Sequence, residues 1–481
     1  MIAMKFTIIF FFFVLVLFYL PSVVATDYFV SPDGSDYNNG LSVLTPFDTI
    51  KHGFSVVDAG DTLFLLDGIF NEKLKLSKSG SLGNPIIIAG YGDNAIMNHI
   101  DNHGLAMEIN DIDHITIRNI EITHYDTGIY ATRSNYITID NCHIHFLKTN
   151  AITIYDGHDC QITNCDIHDG SWNLVQIMAK YNDVYNLLID GNKIHGNPGK
   201  TDFGQAHAGL DIFNANYENP ADGLVHDMTI TNNKIYDCDN SGIFTHGDDD
   251  FYMENMVFEC NEIYDTNSVE TGHFKDSLIK NNYVHDQKVW GFFTYDGSGK
   301  LSMKNTEIIG NVVSDCPYLK SNRALGDNTW IGGSIPDFIH WTGTLTIIDN
   351  NRKTYDIRTQ NDVYIRYSDK RHFTVDGKSA TPKSGYSEYF IESNGKDVLY
   401  EVHNPSGTNE VVIPSCISNP SPAPAPTSLP PGPKPTDAGD ETPYEEDTPY
   451  PGPTAYPIFE PVDDEIYNEF GYKYYSALPE W

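Results

Sequence analysis

ITIRNIEIT at Ile115–Thr123 returns as ITIDNCHIH at Ile137–His145 and as CQITNCDIH at Cys160–His168. It comes back again as LLIDGNKIH (Leu187–His195), MTITNNKIY (Met228–Tyr236), MVFECNEIY (Met256–Tyr264), SLIKNNYVH (Ser277–His285) and TEIIGNVVS (Thr306–Ser314). The matched positions are Asn119, Asn141, Asn164, Gly191, Asn232, Cys260, Asn281 and Gly310, mostly 21 to 29 residues apart. Strand chemistry repeating at that period means a solenoid, because no single unit can bury its apolar side alone.

Alternation within the phrase turns one side of every strand to a core. Ile117, Ile139, Ile162, Ile189, Ile230, Phe258, Ile279 and Ile308 make one inward column. Ile122, Ile144, Ile167, Ile194, Ile235, Ile263, Val284 and Val313 make another. Between them Asn192, Asn233, Asn261, Asn282 and Asn311 occupy an inward turn position, where stacked amides satisfy one another and the turn backbone. A leucine-rich repeat would need Leu-x-x-Leu-x-Leu and a helical segment, and neither is present. The expected fold is all-β: a right-handed parallel β-helix over residues 26–316.

Outward from the repeat, the chain changes character twice. Lys5, the apolar run Ile8–Leu20, Pro21 and the small-residue end Val23–Ala25 read as a secretory signal peptide, residues 1–25. Secretion, possible surface association and no membrane span after its removal are the expectations. Thr49 is placed to cap a short helix carrying Ile50, Phe54 and Val57 on one face, a lid for the open apolar end. After Cys316 the phrase stops, and residues 317–416 read as a β-rich cap or small β-domain. PSPAPAPTSLPPGPKP then begins a Pro-rich linker and an acidic, tyrosine-rich tail, residues 417–481, with the composition of disorder.

A formal charge of −36 leaves nothing to meet phosphates, which excludes nucleic acid as a partner. The same charge repels a polyanion unless a cation bridges the two. The seven cysteines include no Cys-x-x-Cys metal motif. Cys142 and Cys165 share an inward column one rung apart, as stacked thiols or as a disulfide. A monomer is expected.

The second long strand of each turn reads GIYAT (Gly128–Thr132), AITIY (Ala151–Tyr155), LVQIM (Leu174–Met178), GLDIF (Gly209–Phe213), GIFTH (Gly242–His246) and GFFTY (Gly291–Tyr295). Alternation projects Tyr130, Thr153, Gln176, Asp211, Phe244 and Phe293 outward, with Tyr155 and His246 beside them. Aromatic faces next to acid, amide and imidazole groups suit a sugar, whose ring faces are apolar and whose edges are polar. The row predicts a polysaccharide partner, gripped by Gln176, Tyr155, Phe244 and His207.

The opening YFVSPDGSDYNNG, the segment GDTLFLLDGIF and GNPIIIAGYG resemble those of extracellular β-helix proteins that act on polysaccharides. The nearest resemblance is to the pectate lyases of polysaccharide lyase family nine, over roughly Asp27 to Cys316. It implies β-elimination on a uronate polymer. Met178-Ala179-Lys180, followed by Gly209-Leu210-Asp211-Ile212-Phe213, matches the order of that family's basic lysine and following strand. Lys180, Asp211 and His246 are therefore the candidate catalytic residues, Lys180 as the base. The resemblance also implies Ca²⁺, with Asp126, Asp166 and Asp169 as candidate ligands. Here the sequence departs from the family, since residues 170–179 hold no Asp or Glu. Asp169 also recurs with Asp237, Asp265, Asp286 and Asp315 at one turn position, which points to a turn-shaping role. The alternatives are a non-catalytic carbohydrate-binding or adhesive surface protein, or a β-helix glycoside hydrolase.

Overall fold

The computed structural model describes residues 25–99, 103–196, 206–214, 223–247 and 252–288 apart from 273. From 290 onward it describes the strands, with residues 306, 311 and 413–418. The expected signal peptide, apart from Ala25, and the chain after residue 418 lie outside the described residues.

One turn of the solenoid sets the pattern. Ile115–Arg118 lies on a first face, Glu121–Thr123 on a second and Thr127–Thr132 on a third, and Ile137–Asp140 then stacks on Ile115–Arg118 in parallel. Strict register holds like against like: Ile117 meets Ile139, Ile122 meets Ile144, Ile129 meets Ile152. Both inward columns are buried from Ile117 to Ile279 and from Ile122 to Val284. The β-helix is as the repeat predicts. The side chains of Ile308, Val313 and Phe292 lie outside the described residues.

Two corners explain the turn residues. Asn119, Asn141, Asn164, Gly191, Asn232, Cys260 and Asn281 all have φ between 49° and 66°. Asparagine tolerates this left-handed conformation better than other side chains do, because its short amide bonds locally. Asp169, Asp237, Asp265 and Asp286 hold φ of 50° to 56° at the next corner. Asp169 is thus a turn residue.

Between the corners the asparagine column forms a continuous ladder. Asn192 Nδ2 donates to Asn233 Oδ1 (2.9 Å), Asn233 to Asn261 (3.0 Å), Asn261 to Asn282 (2.9 Å) and Asn282 to Asn311 (2.9 Å). Each of the four amides also donates to a main-chain carbonyl of the preceding rung, at 2.8–2.9 Å. Cys142 and Cys165 continue this column as free, buried thiols. A disulfide joins Cys260 to Cys416 instead, across 156 residues.

The amino-terminal end is closed by the helix Ile50–Val56. Thr49 caps it, accepting from His52 N at 3.1 Å, and Glu72 accepts from the main-chain N–H groups of Ile50 (2.9 Å) and Lys51 (3.2 Å). Ile50, Phe54 and Val57 are buried beneath it.

At the far end the parallel stack does not stop at Cys316, where the sequence phrase does. Asn328–Ile331, Thr344–Ile348 and Val363–Arg366 extend the second face in parallel. Glu388–Ile391 then joins that face in antiparallel, and Thr354–Thr359, Val398–His403, His372–Val375 and Lys378–Ser379 build a separate antiparallel sheet. Among the described residues no helix is long and apolar enough to cross a membrane.

Candidate functional site

The third face carries the candidate residues in register. Tyr130 pairs with Thr153, Thr153 with Gln176, Gln176 with Asp211, Asp211 with Phe244, and Phe244 with Glu270. Gln176, Asp211 and Phe244 therefore form the vertical row that alternation predicts, one rung (about 4.8 Å) apart. Tyr155, Met178, Phe213 and His246 make the adjacent row, two residues further along each strand. His246 takes its place there by main-chain register, and its side chain lies outside the described residues.

The row is less open than outward projection implies. Thr132, Thr153, Asp211 and Phe213 are buried, Asp211 to 3% exposure, whereas Tyr130, Tyr155, Gln176 and Phe244 are half-buried. Amides bridge the rungs above the strands. Asn150 Nδ2 donates to Thr153 Oγ1 (3.1 Å) and to Gln176 Oε1 (2.9 Å). Gln176 Nε2 (3.0 Å) and Asn173 Nδ2 (2.7 Å) both donate to Asp211 Oδ2. Asp211 is thus a carboxylate fixed by two amide donors, and two further rungs along Glu270 accepts from Ser268 (2.6 Å) and Ser241 (3.1 Å). The serine and asparagine partners had no signal in the sequence beyond lying three residues before their strand's outward position, or two before it at Ser268.

Lys180 falls one residue past the strand Asn173–Ala179. It stands four residues beyond Gln176, which is level with Asp211, so its Cα lies about 13 Å along the strand direction from that carboxylate. Its main-chain N–H donates to Asp156 Oδ1 at 2.7 Å, and those of Tyr181 (3.0 Å) and Asn182 (3.3 Å) share the same oxygen. The Lys180 ammonium sits 5.0 Å from the centre of the Tyr181 ring. Asp156, buried to 3% exposure, therefore fixes the bend that presents Lys180. At the opposite end of these strands His207 stacks on Trp172, ring centres 5.3 Å apart, and faces Asn240 Nδ2 at 3.1 Å. Trp172, 38% exposed, belongs to this aromatic edge and was not among the expected site residues.

The three aspartates expected to hold Ca²⁺ are not brought together. Asp126 accepts from Gly104 N (2.6 Å) and lies beside Lys148 (3.6 Å) and His103 (3.4 Å). Asp166 is on the outer side of the second face, between Lys193 (3.1 Å) and His195 (3.3 Å), which hold its carboxyl well below the usual range against the opposing effect of burial. Asp169 shapes its corner and accepts from His168 Nδ1 at 2.8 Å. Carboxylates each spent on a local cation, imidazole or N–H group do not make an oxygen cage. The residues present do not fit the ion.

Residues 28–174 match the family model described as "Pel9A-like, right handed beta helix region", and residues 211–331 match one described as "Right handed beta helix region". Both matches describe a right-handed β-helix. The chain is 28% identical over 217 residues to the uncharacterized protein YwoF of Bacillus subtilis, covering 40% of this chain and 44% of that one. It is 27% identical over 147 residues to pectate lyase PEL9 of Emericella nidulans, covering 24% of this chain and 36% of that one. It spans under half the length of either relative. Among solved structures a lacto-N-biosidase from Eubacterium ramulus shows 15% identity and a TM-score of 0.44, with 67% of this chain and 65% of that one covered.

Proposed function

We propose that the protein is a secreted, polysaccharide-processing enzyme whose polymer lies along the third face, and that it cleaves a uronate-containing chain by β-elimination. The observation that carries the reading is the unbroken register of Tyr130, Thr153, Gln176, Asp211, Phe244 and Glu270. Half-buried Tyr130, Tyr155, Gln176 and Phe244 on this face offer a sugar chain apolar ring faces and polar edges. The Pel9A-like match and the pectate lyase relative support elimination as the chemistry. The Cys260–Cys416 disulfide fits an oxidising, extracytoplasmic setting.

In this reading Lys180, as the free amine, takes the proton from the carbon α to the uronate carboxylate, a C=C bond forms as the glycosidic C–O bond at the β carbon breaks, and the leaving oxygen takes a proton from water. Asp156 positions Lys180 through the backbone of its bend. Asp211, buried and held by Asn173, fixes the half-buried Gln176 amide in the row. A second reading has one specific support: Asp211 and Glu270 are two carboxylates on one row, two rungs (about 10 Å) apart at the backbone, and inverting glycosidases use a pair of carboxyl groups roughly 6.5–9.5 Å apart.

The deciding experiment is a screen of the purified protein on pectate, alginate and glycosaminoglycans. Ultraviolet absorbance of an unsaturated product is the expected result. New saturated reducing ends without that absorbance would replace elimination by hydrolysis. Retention on a polymer column with neither product would leave a binder or adhesin.

A further inference from the structure

The outer side of the second face carries a column of rings away from the proposed polymer track. His145 stacks on His168, His168 on His195, His195 on Tyr236, Tyr236 on Tyr264 and Tyr264 on His285, with centres 4.6–4.9 Å apart. Over most of its length this is simple rung-on-rung stacking. At its amino-terminal end the geometry is different. His143 and His145 both point outward from one strand, and His168 comes from the next rung. His143 Nε2 faces His168 Nε2 edge to edge at 2.7 Å, with their planes tilted by 37°. One ring nitrogen of each of the three histidines lies within 4.8 Å of the others. Glu121, one rung earlier, brings Oε1 to 3.0 Å from His145 Nε2 and Oε2 to 4.0 Å from His143 Nδ1.

We propose that His143, His145 and His168, with Glu121 as fourth ligand, form a binding site for a borderline divalent cation such as Zn²⁺. Three imidazoles and a carboxylate match the donor preference and tetrahedral number of that ion, and not of Ca²⁺. The outer partners are also in place. Asp169 Oδ2 takes the Nδ1–H of His168 at 2.8 Å, which leaves Nε2 as a lone pair aimed into the cluster, the carboxylate–histidine brace usual behind a metal ligand. His145 is 8% exposed and its Nδ1 has no hydrogen-bond partner, so among the described residues its only side-chain hydrogen bond is the one to Glu121 on the cluster side. Access is through His143, whose side chain is 43% exposed. The ion would tie three successive rungs together, from Glu121 through His143 and His145 to His168.

The test uses the full-length protein without an affinity tag, stripped with a chelator and titrated with Co²⁺ and then Zn²⁺. One equivalent of Co²⁺ should give the visible d–d absorption of a tetrahedral site, Zn²⁺ should bleach it, and excess Ca²⁺ should leave it unchanged. His143→Ala and His168→Ala should each weaken uptake at least 100-fold, whereas His285→Ala, in the same ring column, should not change it. Circular dichroism of the stripped protein and variants reads folding separately from uptake. Failure of the wild-type protein to take up one equivalent, displacement by Ca²⁺, or uptake indifferent to both substitutions would each overturn the site.

Discussion

Asn233 Oδ1 accepts two hydrogen bonds from Asn192, from its main-chain N–H and its amide, and the Asn233 amide donates two, to Ile189 O and Asn261 Oδ1. Asn233→Ala leaves buried donors of Asn192 unmet, so a loss of about 2–4 kcal/mol is expected, read as a lower urea midpoint. A pH effect is expected at Glu262 and His285, 3.4 Å apart. Burial opposes charge on His285, but Glu262 and Asp286 outweigh it and raise its pKa, while His285 and Lys234 lower that of Glu262. Stability from His285 is present below 6.5 and fades as pH rises through its raised folded value. Stability from Glu262 is present above 4.5 and fades as pH falls through its lowered one. The wild type should therefore exceed His285→Gln in melting temperature most between pH 4.5 and 6.5, with Tyr264 and Tyr283 the remaining titratable rings against His285. A difference that grows steadily above pH 8 would contradict this. Residue roles were legible where they repeat: the asparagine ladder could be read as a column. The Ca²⁺ set could not, because Asp126 follows a strand two rungs before that of Asp166, and the sequence says nothing of which neighbour each carboxylate has already taken.

Among the elements, the helix Ile50–Val56 is what keeps the first rung from presenting a bare apolar end. Phe54, 2% exposed, fills the space over that rung, and Gly53 lies so close that a Cβ there would come within 2.7 Å of side-chain carbons of Leu63 and Val30. Phe54→Ala should cost about 3–5 kcal/mol and raise the concentration-dependent light scattering that an uncovered solenoid end produces. Unchanged stability and scattering would mean the helix is not the lid. Its start was legible from Thr49 because capping is local. The covering of the third face was not: alternation gives a side chain's direction, whereas Asn150 and Asn173 reach it from outside the strand's outward positions. The parallel strands beyond Cys316 escaped for a related reason, since they pair as rungs without the asparagine-turn phrase.

For the whole molecule, the Cys260–Cys416 disulfide closes a covalent loop across 156 residues and brings residue 416 back to a corner of the first face. Such a bond contributes about 2–5 kcal/mol in the chain-entropy account, so Cys416→Ser should lower the thermal midpoint and speed proteolysis carboxy-terminal to the stack. Pairing at 156 residues' separation is not readable from a sequence with seven cysteines, whereas the solenoid itself is, because its period recurs eight times. The formal charge of −36 bears on function at this scale, since a polyuronate must approach a protein of its own sign. The central claim is that such a polymer is cut beside Lys180 after being gripped along the third face. The measurement is unsaturated product formed by wild type and by Lys180→Ala on the polymer the screen selects, with retention on the immobilised polymer measured in parallel. The account predicts loss of product by at least 100-fold with retention nearly unchanged, because removal of the base acts on the transition state more than on the bound ground state. Full activity in Lys180→Ala, or equal loss of product and retention, would contradict it.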